Sequence, residues 1–152
     1  MKAVLQRVTH ASVTIEGRVA GAIENGFLIL LGVAPGDTKA EAEYLAKKCV
    51  AMRVFSDEAD KMNRSLADVG GKLLVISQFT LFADCRKGNR PNFMGAAKGE
   101  QAVKLYEYFV SCCRALGAEV ETGEFGADMK VDLRNDGPVT ILLDTNEMMK
   151  KK

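Results

Sequence analysis

Ser77-Gln78-Phe79-Thr80 places two hydroxyls and a carboxamide directly after the apolar run Leu73-Leu74-Val75-Ile76. A strand of that composition delivers polar groups to the edge of a core. With nearby backbone N–H donors, such groups can orient a carbonyl and stabilise its oxyanion. If one long strand runs from Leu73 to Phe82, Gln78 and Thr80 share one face, and Ser77 and Phe79 the other. The alternative is a strand end whose hydroxyls are satisfied by their neighbours. A second unusual place is Gly137-Pro138. The glycine tolerates backbone angles closed to other residues, the proline lacks an N–H, and X-Pro bonds are those with an appreciable cis population. A cis bond there would turn adjacent carbonyls to one side as a rigid acceptor pair; the alternative is a plain hairpin turn. A third segment, Arg86-Lys87-Gly88-Asn89-Arg90-Pro91, carries three cations within five residues of a Gly- and Pro-marked loop. It could hold phosphates, or be an ordinary solvated loop.

Other chemistries lack their residues. A Ser-His-Asp or Cys-His site needs a histidine base, and the only one is His10, beside Thr9 and Ala11 in a strand-like segment. No Gly-rich phosphate loop with a following lysine occurs, and no GxGxxG opens a helix. Cys49, Cys85, Cys112 and Cys113 include no CxxC pair and read as reduced thiols. One histidine with scattered cysteines offers no zinc set, so no metal and no cofactor are expected.

The elements that must position these residues follow from periodicity. Ala3 to Ile23 is rich in Val, Thr and Ile and breaks at Glu16-Gly17, which predicts a hairpin of Ser12–Ile15 with Arg18–Ala20. Phe27 to Val33 suits a strand buried on both faces, ended by Pro35-Gly36. Thr38-Lys39-Ala40-Glu41 has the capping-box form, and Ala42, Leu45, Cys49 and Met52 continue a helix over roughly Thr38 to Met52. A second helix carries the stripe Ala102, Leu105, Tyr106, Phe109, Cys113 and Leu116, with Gly117 as its C-cap. Met129, Val131 and Leu133 alternate with charged residues as a half-buried strand. Asn135-Asp136-Gly137-Pro138 then reads as a turn, and Val139 to Leu143 as a returning strand.

Strands lead and trail with two helices between. The expectation is one α+β domain over 1–147: a mainly antiparallel, barrel-like sheet with two packed helices, and a disordered, solvated tail at 148–152. Its 152 residues suffice for a core without staples. No apolar run of membrane-spanning length occurs, and charge returns at Arg7 too early for a secretory signal, so a soluble, cytoplasmic protein is expected. A net charge of +1 gives no bulk attraction for nucleic acid, so any such contact must come from a local patch.

Ser77-Gln78-Phe79-Thr80-Leu81, followed far downstream by Asn135-Asp136-Gly137-Pro138-Val139-Thr140, resembles the two signature motifs of the D-aminoacyl-tRNA deacylase family, formerly D-tyrosyl-tRNA deacylase. The opening Met1 to Arg7 and the Arg-Lys-Gly-Asn-Arg-Pro loop are similar to that family too, so the resemblance covers essentially the whole chain. It implies hydrolysis of the ester between a D-amino acid, with glycine admitted, and tRNA. It implies a homodimer with active sites at the subunit interface, where a cis Gly137-Pro138 reaches into the partner's pocket. There the pair would grip the substrate's α-amino group and leave no room for an L side chain. Arg7 would fix the Gly-Pro loop, and Ser77 and Gln78 would orient groups. Backbone donors around Phe79 and the 2′-hydroxyl of the terminal adenosine would serve the chemistry. Thr80 as a nucleophile ranks below that route, since no residue is evidently placed to deprotonate it. Met129 would line the adenosine pocket, or else belong to the core. Arg86, Lys87 and Arg90 would touch tRNA, with a shallow salt dependence. Three competing readings are a hydrolase of small D-amino-acid esters or peptides, a non-enzymatic module that shields aminoacyl ends, and a relative within the superfamily with a trans Gly-Pro bond and a different substrate preference.

Overall fold

The structure is a computed structural model and describes residues 1–150. Strand β1 (Lys2–Ile15) turns at Glu16-Gly17 into β2 (Arg18–Ile23). Glu16 and Gly17 have φ of 49° and 79°, the left-handed pair of a two-residue turn whose twist matches its flanking strands. The expected hairpin is present and longer than predicted. β3 (Gly26–Gly32) then pairs antiparallel with the first half of β1, from Lys2 opposite Gly32 to Val8 opposite Gly26.

Two helices carry the chain back over the sheet. Helix α1 (Lys39–Ala51) starts at the predicted capping box: the Thr38 N–H donates to Glu41 Oε2 at 2.7 Å, and Thr38 Oγ1 accepts from the Ala40 N–H at 3.3 Å. After a small hairpin, β4 (Phe55–Ser56) with β5 (Met62–Arg64), the chain enters β6 (Lys72–Ser77) parallel to β3. Helix α2 (Gly99–Ala115) makes the second crossover, into β7 (Val120–Thr122), parallel to β6. Ala102, Leu105, Tyr106, Phe109 and Cys113 are buried as the stripe predicts, and Gly117 takes φ +95°. Leu116 is 45% exposed, because it caps the helix beyond the last turn that touches the sheet.

The α+β class and the mainly antiparallel, barrel-like sheet are as expected, with two refinements. Each helix is a crossover, and a crossover delivers its next strand parallel, so β3-β6 and β6-β7 are parallel pairs in a sheet whose other pairings, all made by β1, are antiparallel. A third, short helix α3 (Thr145–Met148) follows the last strand, with Asp144 Oδ1 accepting from the Asn146 N–H at 2.9 Å. The expected tail thus begins at a helical residue, and residues 151–152 lie outside the described chain.

The sheet order β2-β1-β3-β6-β7 nearly closes on itself. At Gly21 of β2 a Cβ would lie 2.6 Å from the Thr122 carbonyl oxygen of β7, so only glycine lets these edges approach so closely. Side chains alternate between two cores. Phe27, Ile29 and Leu31 of β3, with Leu73 and Val75 of β6, face the helices; Leu28, Leu74 and Ile76 face the interior of the curl with Val8, Ala11 and Val13.

Two further expectations are overturned, and both bear on the site. Leu73 to Phe82 is not one strand: β6 stops at Ser77, and Phe79–Phe82 form a turn of 3-10 helix. The ladder runs out there, since β3 ends at Gly32 and the last bond is Gln78 N–H to the Leu31 carbonyl, 2.8 Å. The chain folds instead over Gly32, whose absent Cβ would lie 2.9 Å from a Phe82 ring carbon and 3.1 Å from the Gln78 carbonyl oxygen. Nor does Asn135–Pro138 reverse the chain. β8 (Lys130–Asp144) is one strand antiparallel to β1 along its length, with its middle looped out. Val8 faces Asn135 and Gln6 faces Thr140, so Asp136 to Val139 stand opposite Arg7 alone.

Candidate active site

Ser77 ends β6 half-buried, Gln78 bridges, and Phe79 and Thr80 open the 3-10 turn, exposed. The first amides of any helical turn lack a partner within it. No backbone or side-chain acceptor among the described residues takes the Phe79 or Thr80 N–H. Two adjacent free donors at the mouth of a pocket are a pair that can receive an oxyanion. The Gln78 carboxamide donates to Thr80 Oγ1. The hydroxyl's close neighbour is thus a donor, with no capacity to accept its proton.

Ser77, Gln78 and Phe79 line a cavity of about 250 Å³, whose other walls include Phe125, Met129 and Val131; the Thr80 side chain is not part of that lining. Met129 both packs on the interior core and lines this cavity. Gly123 makes room for it: a Cβ there would stand 2.6 Å from the Met129 sulfur. Asp128 is the one ionisable residue on the lining, and its carboxylate pairs with Lys130 at 3.1 Å. His10 lies elsewhere, exposed on β1 opposite Arg134. Among the described residues no three His, Cys, Asp or Glu side chains gather where they could hold a metal ion.

The second constellation is built on the bulge of β8. Arg7 is 9% exposed and spends its guanidinium on backbone. Nε donates to the Asp136 carbonyl at 3.0 Å and one terminal nitrogen to the Val54 carbonyl at 2.6 Å, with the Asp136 carboxylate 3.5 Å from Nε. Asn135 closes the neck, donating from Nδ2 to the Arg7 carbonyl at 3.0 Å and the Val139 carbonyl at 2.9 Å. Gly137 has φ +137°, which favours glycine, and the Gly137–Pro138 bond is cis. Both residues are exposed, and neither lines the 250 Å³ cavity of its own chain. The two motifs are therefore separate constellations within one chain.

In the basic loop, Asp84 and Asn92 pair backbone to backbone, with N–H to carbonyl distances of 2.7 and 2.9 Å. Arg86 grips the Asp84 carboxylate with two nitrogens at 2.9 and 2.7 Å, and those hydrogen bonds hold that carboxyl down at about 2. Lys87 and Arg90 are exposed and have no carboxylate partner among the described residues.

Sequence reasoning missed Phe125, Phe93, Gly32 and the clamping role of Asn135. The first two sit in irregular segments without periodicity. Gly32 carried no signal beyond its type, whereas Asn135 stood inside a motif already singled out.

The family model for D-Tyr-tRNA(Tyr) deacylase matches residues 4–144. A D-aminoacyl-tRNA deacylase of Lacticaseibacillus casei (strain BL23) is 59% identical over 95% of this chain and 98% of its own length. One of Koribacter versatilis (strain Ellin345) is 58% identical over 97% and 99%. A solved structure, c-Myc DNA Unwinding Element Binding Protein, superposes with a TM-score of 0.89 at 44% identity, covering 95% of this chain and 98% of that one. With the family model spanning nearly the whole chain and relatives this close along their full length, the chain belongs to the D-Tyr-tRNA(Tyr) deacylase family.

Proposed function

We propose that two copies of the protein assemble so that Gly137-Pro138 of each closes the cavity beside Phe79 of the other. The closed pocket then accepts D-aminoacyl and glycyl esters and refuses L ones. Family membership makes the protein a hydrolase of D-aminoacyl-tRNA; the assembly, the gate and the admission of glycine are our reading. The observation that carries it is the mismatch within one protomer. A rigidly clamped, exposed Gly-Pro bulge has no cavity of its own, while the cavity with the free amides has no gate. A second copy resolves both.

In this arrangement the terminal adenosine lies in the cavity against Met129 and Phe125. The ester carbonyl points at the Phe79 and Thr80 amides, and Ser77 and Gln78 orient the aminoacyl group. Water attacks the carbonyl carbon, and the negative charge that develops on its oxygen is met by donors already in place. The neighbouring 2′-hydroxyl of the ribose relays the proton that the water loses to the departing 3′-oxygen, consistent with a lining that offers no free base. The ester C–O bond breaks, and a free D-amino acid and a tRNA 3′-hydroxyl result. An L side chain would collide with the partner's Gly137-Pro138, and glycine, lacking one, would pass. The four cysteines are unpaired, in keeping with a cytoplasmic protein. Among the described residues no helix is long and apolar enough to cross a membrane.

Deacylation of matched D- and L-tyrosyl-tRNA tests the reading. Fast release from the D ester with none above background from the L ester supports it; equal rates on the two, or none on either, would overturn it.

A further inference from the structure

Phe79 and Phe93 meet edge to face, with ring centroids 5.2 Å apart. Phe93 directly follows Asn92, which closes the basic loop onto Asp84. The loop therefore rises from the rim of the cavity rather than from a remote surface. Its own hollow, lined by Asp84, Arg86, Lys87, Arg90 and Asn92, has a volume of about 600 Å³. Within it the charges are not equivalent. Arg86 is locked to Asp84, which neutralises that carboxylate and fixes the loop's shape. Gly88 takes φ +62° at the turn, between the two cations that remain uncommitted, Lys87 and Arg90. Two residues beyond Asn92, which lines the same hollow, Met94 has its N–H held by Asn92 Oδ1 at 2.8 Å and is 76% exposed. Free cations next to an ordered apolar surface, at the lip of a pocket for a nucleoside, match a strand of phosphates that also carries bases.

We infer that this loop is a phosphate grip for the unpaired nucleotides just upstream of the terminal adenosine. Lys87 and Arg90 contact two phosphodiesters, Met94 supports a base, and Arg86 is a positioning residue that touches no RNA. The inference rests on the deacylase reading of the adjoining cavity and extends it outward along the substrate. It also accounts for a nucleic-acid substrate on a chain whose net charge is only +1. The attraction is concentrated where the single strand must pass.

Two hydrolysis-resistant ligands separate this inference from the reading beneath it. One is adenosine bearing an amide-linked D-tyrosyl group at the 3′ position; the other is the same group on the trinucleotide CCA. Calorimetric titration of the full-length protein with each, across a salt series, gives four affinities that matter. Wild-type protein should bind the trinucleotide at least tenfold more tightly, with log K falling against log salt by roughly 1.4, as two neutralised phosphates on a single strand require. Lys87→Ala with Arg90→Ala should erase that advantage and the slope while leaving adenosine-ligand affinity alone. Lys87→Arg, which keeps the charge, should retain the advantage. Arg86→Ala should weaken the trinucleotide without changing the salt slope. An adenosine ligand bound as well as the trinucleotide would overturn the grip, as would equal losses on both ligands in the double variant. If wild-type protein binds neither ligand, the deacylase reading itself falls, and the grip with it.

Discussion

At the scale of single residues, the reaction is assigned to backbone amides rather than to a side-chain nucleophile. Thr80 receives a hydrogen bond from Gln78 and has no base beside it, so Thr80→Val should lower kcat by no more than about tenfold. A nucleophile's removal would cost roughly a thousandfold or more. Phe79→Pro deletes one free N–H at the first position of a helical turn, where proline is tolerated, and should cost about a hundredfold to a thousandfold. Single-turnover deacylation of D-tyrosyl-tRNA by the two variants ranks them, and a larger loss for Thr80→Val would reverse the assignment. Arg7 plays a different part. Its guanidinium satisfies two carbonyls from a nearly buried position. Arg7→Ala should therefore destabilise the protein by about 2–4 kcal/mol in urea titration and raise release of L-tyrosine relative to D. Unchanged discrimination in the folded variant would separate Arg7 from the gate.

At the scale of elements, regular periodicity was legible and its interruptions were not. The capping box at Thr38, the α2 stripe and the both-faces-buried β3 all read correctly, because burial on a helix or strand imposes a period on the residues themselves. The end of β6 at Ser77 depends on where β3 stops pairing, a tertiary fact with no local trace, so the 3-10 turn that carries the amides was misread as strand. The bulge on β8 looked like a turn, because Asn-Asp-Gly-Pro is turn chemistry in either setting. The candidate site residues stand out by type and motif, whereas their mutual placement leaves no trace in the sequence. One tertiary anchor yields a pH prediction. Tyr106 on α2 donates its hydroxyl to the Val75 carbonyl of β6 at 2.7 Å, and burial pushes that phenol up to about 12. A folded value raised above the usual 10 contributes stability that is intact below pH 10 and is lost as pH rises through 12. The loss should reach about 2–3 kcal/mol. Denaturant titrations from pH 8 to 12 should show a decline to which the buried Cys113 thiol also contributes, and Tyr106→Phe should make it shallower; an unchanged decline in the variant would place the cause elsewhere.

At the scale of the whole molecule, β8 is the exposed flank. It pairs only with β1, so among the described residues a fifteen-residue strand keeps its outer edge unpaired. Leu142 on that strand is 79% exposed, and the Gly137-Pro138 bulge interrupts it. Long, apolar, uncovered edges invite pairing with another chain, and the proposed dimer would cover this one. Leu142→Glu should shift sedimentation from dimer to monomer and raise release of L-tyrosine relative to D, since each cavity would lose its gate. A monomeric variant with full discrimination would show that one copy suffices.

Purified mixed dimers test the cross-subunit gate most directly. One protomer carries Gly137→Ala with Pro138→Ala, so its gate is lost; the other carries Phe79→Pro, so its cavity is crippled. If each gate serves the neighbouring cavity, the sound cavity is closed by the sound gate. The mixed dimer then hydrolyses D-tyrosyl-tRNA at about half the wild-type rate per dimer and leaves L-tyrosyl-tRNA intact. If the gate instead serves its own chain, the working cavity stands ungated and the mixed dimer releases L-tyrosine, which would contradict the account.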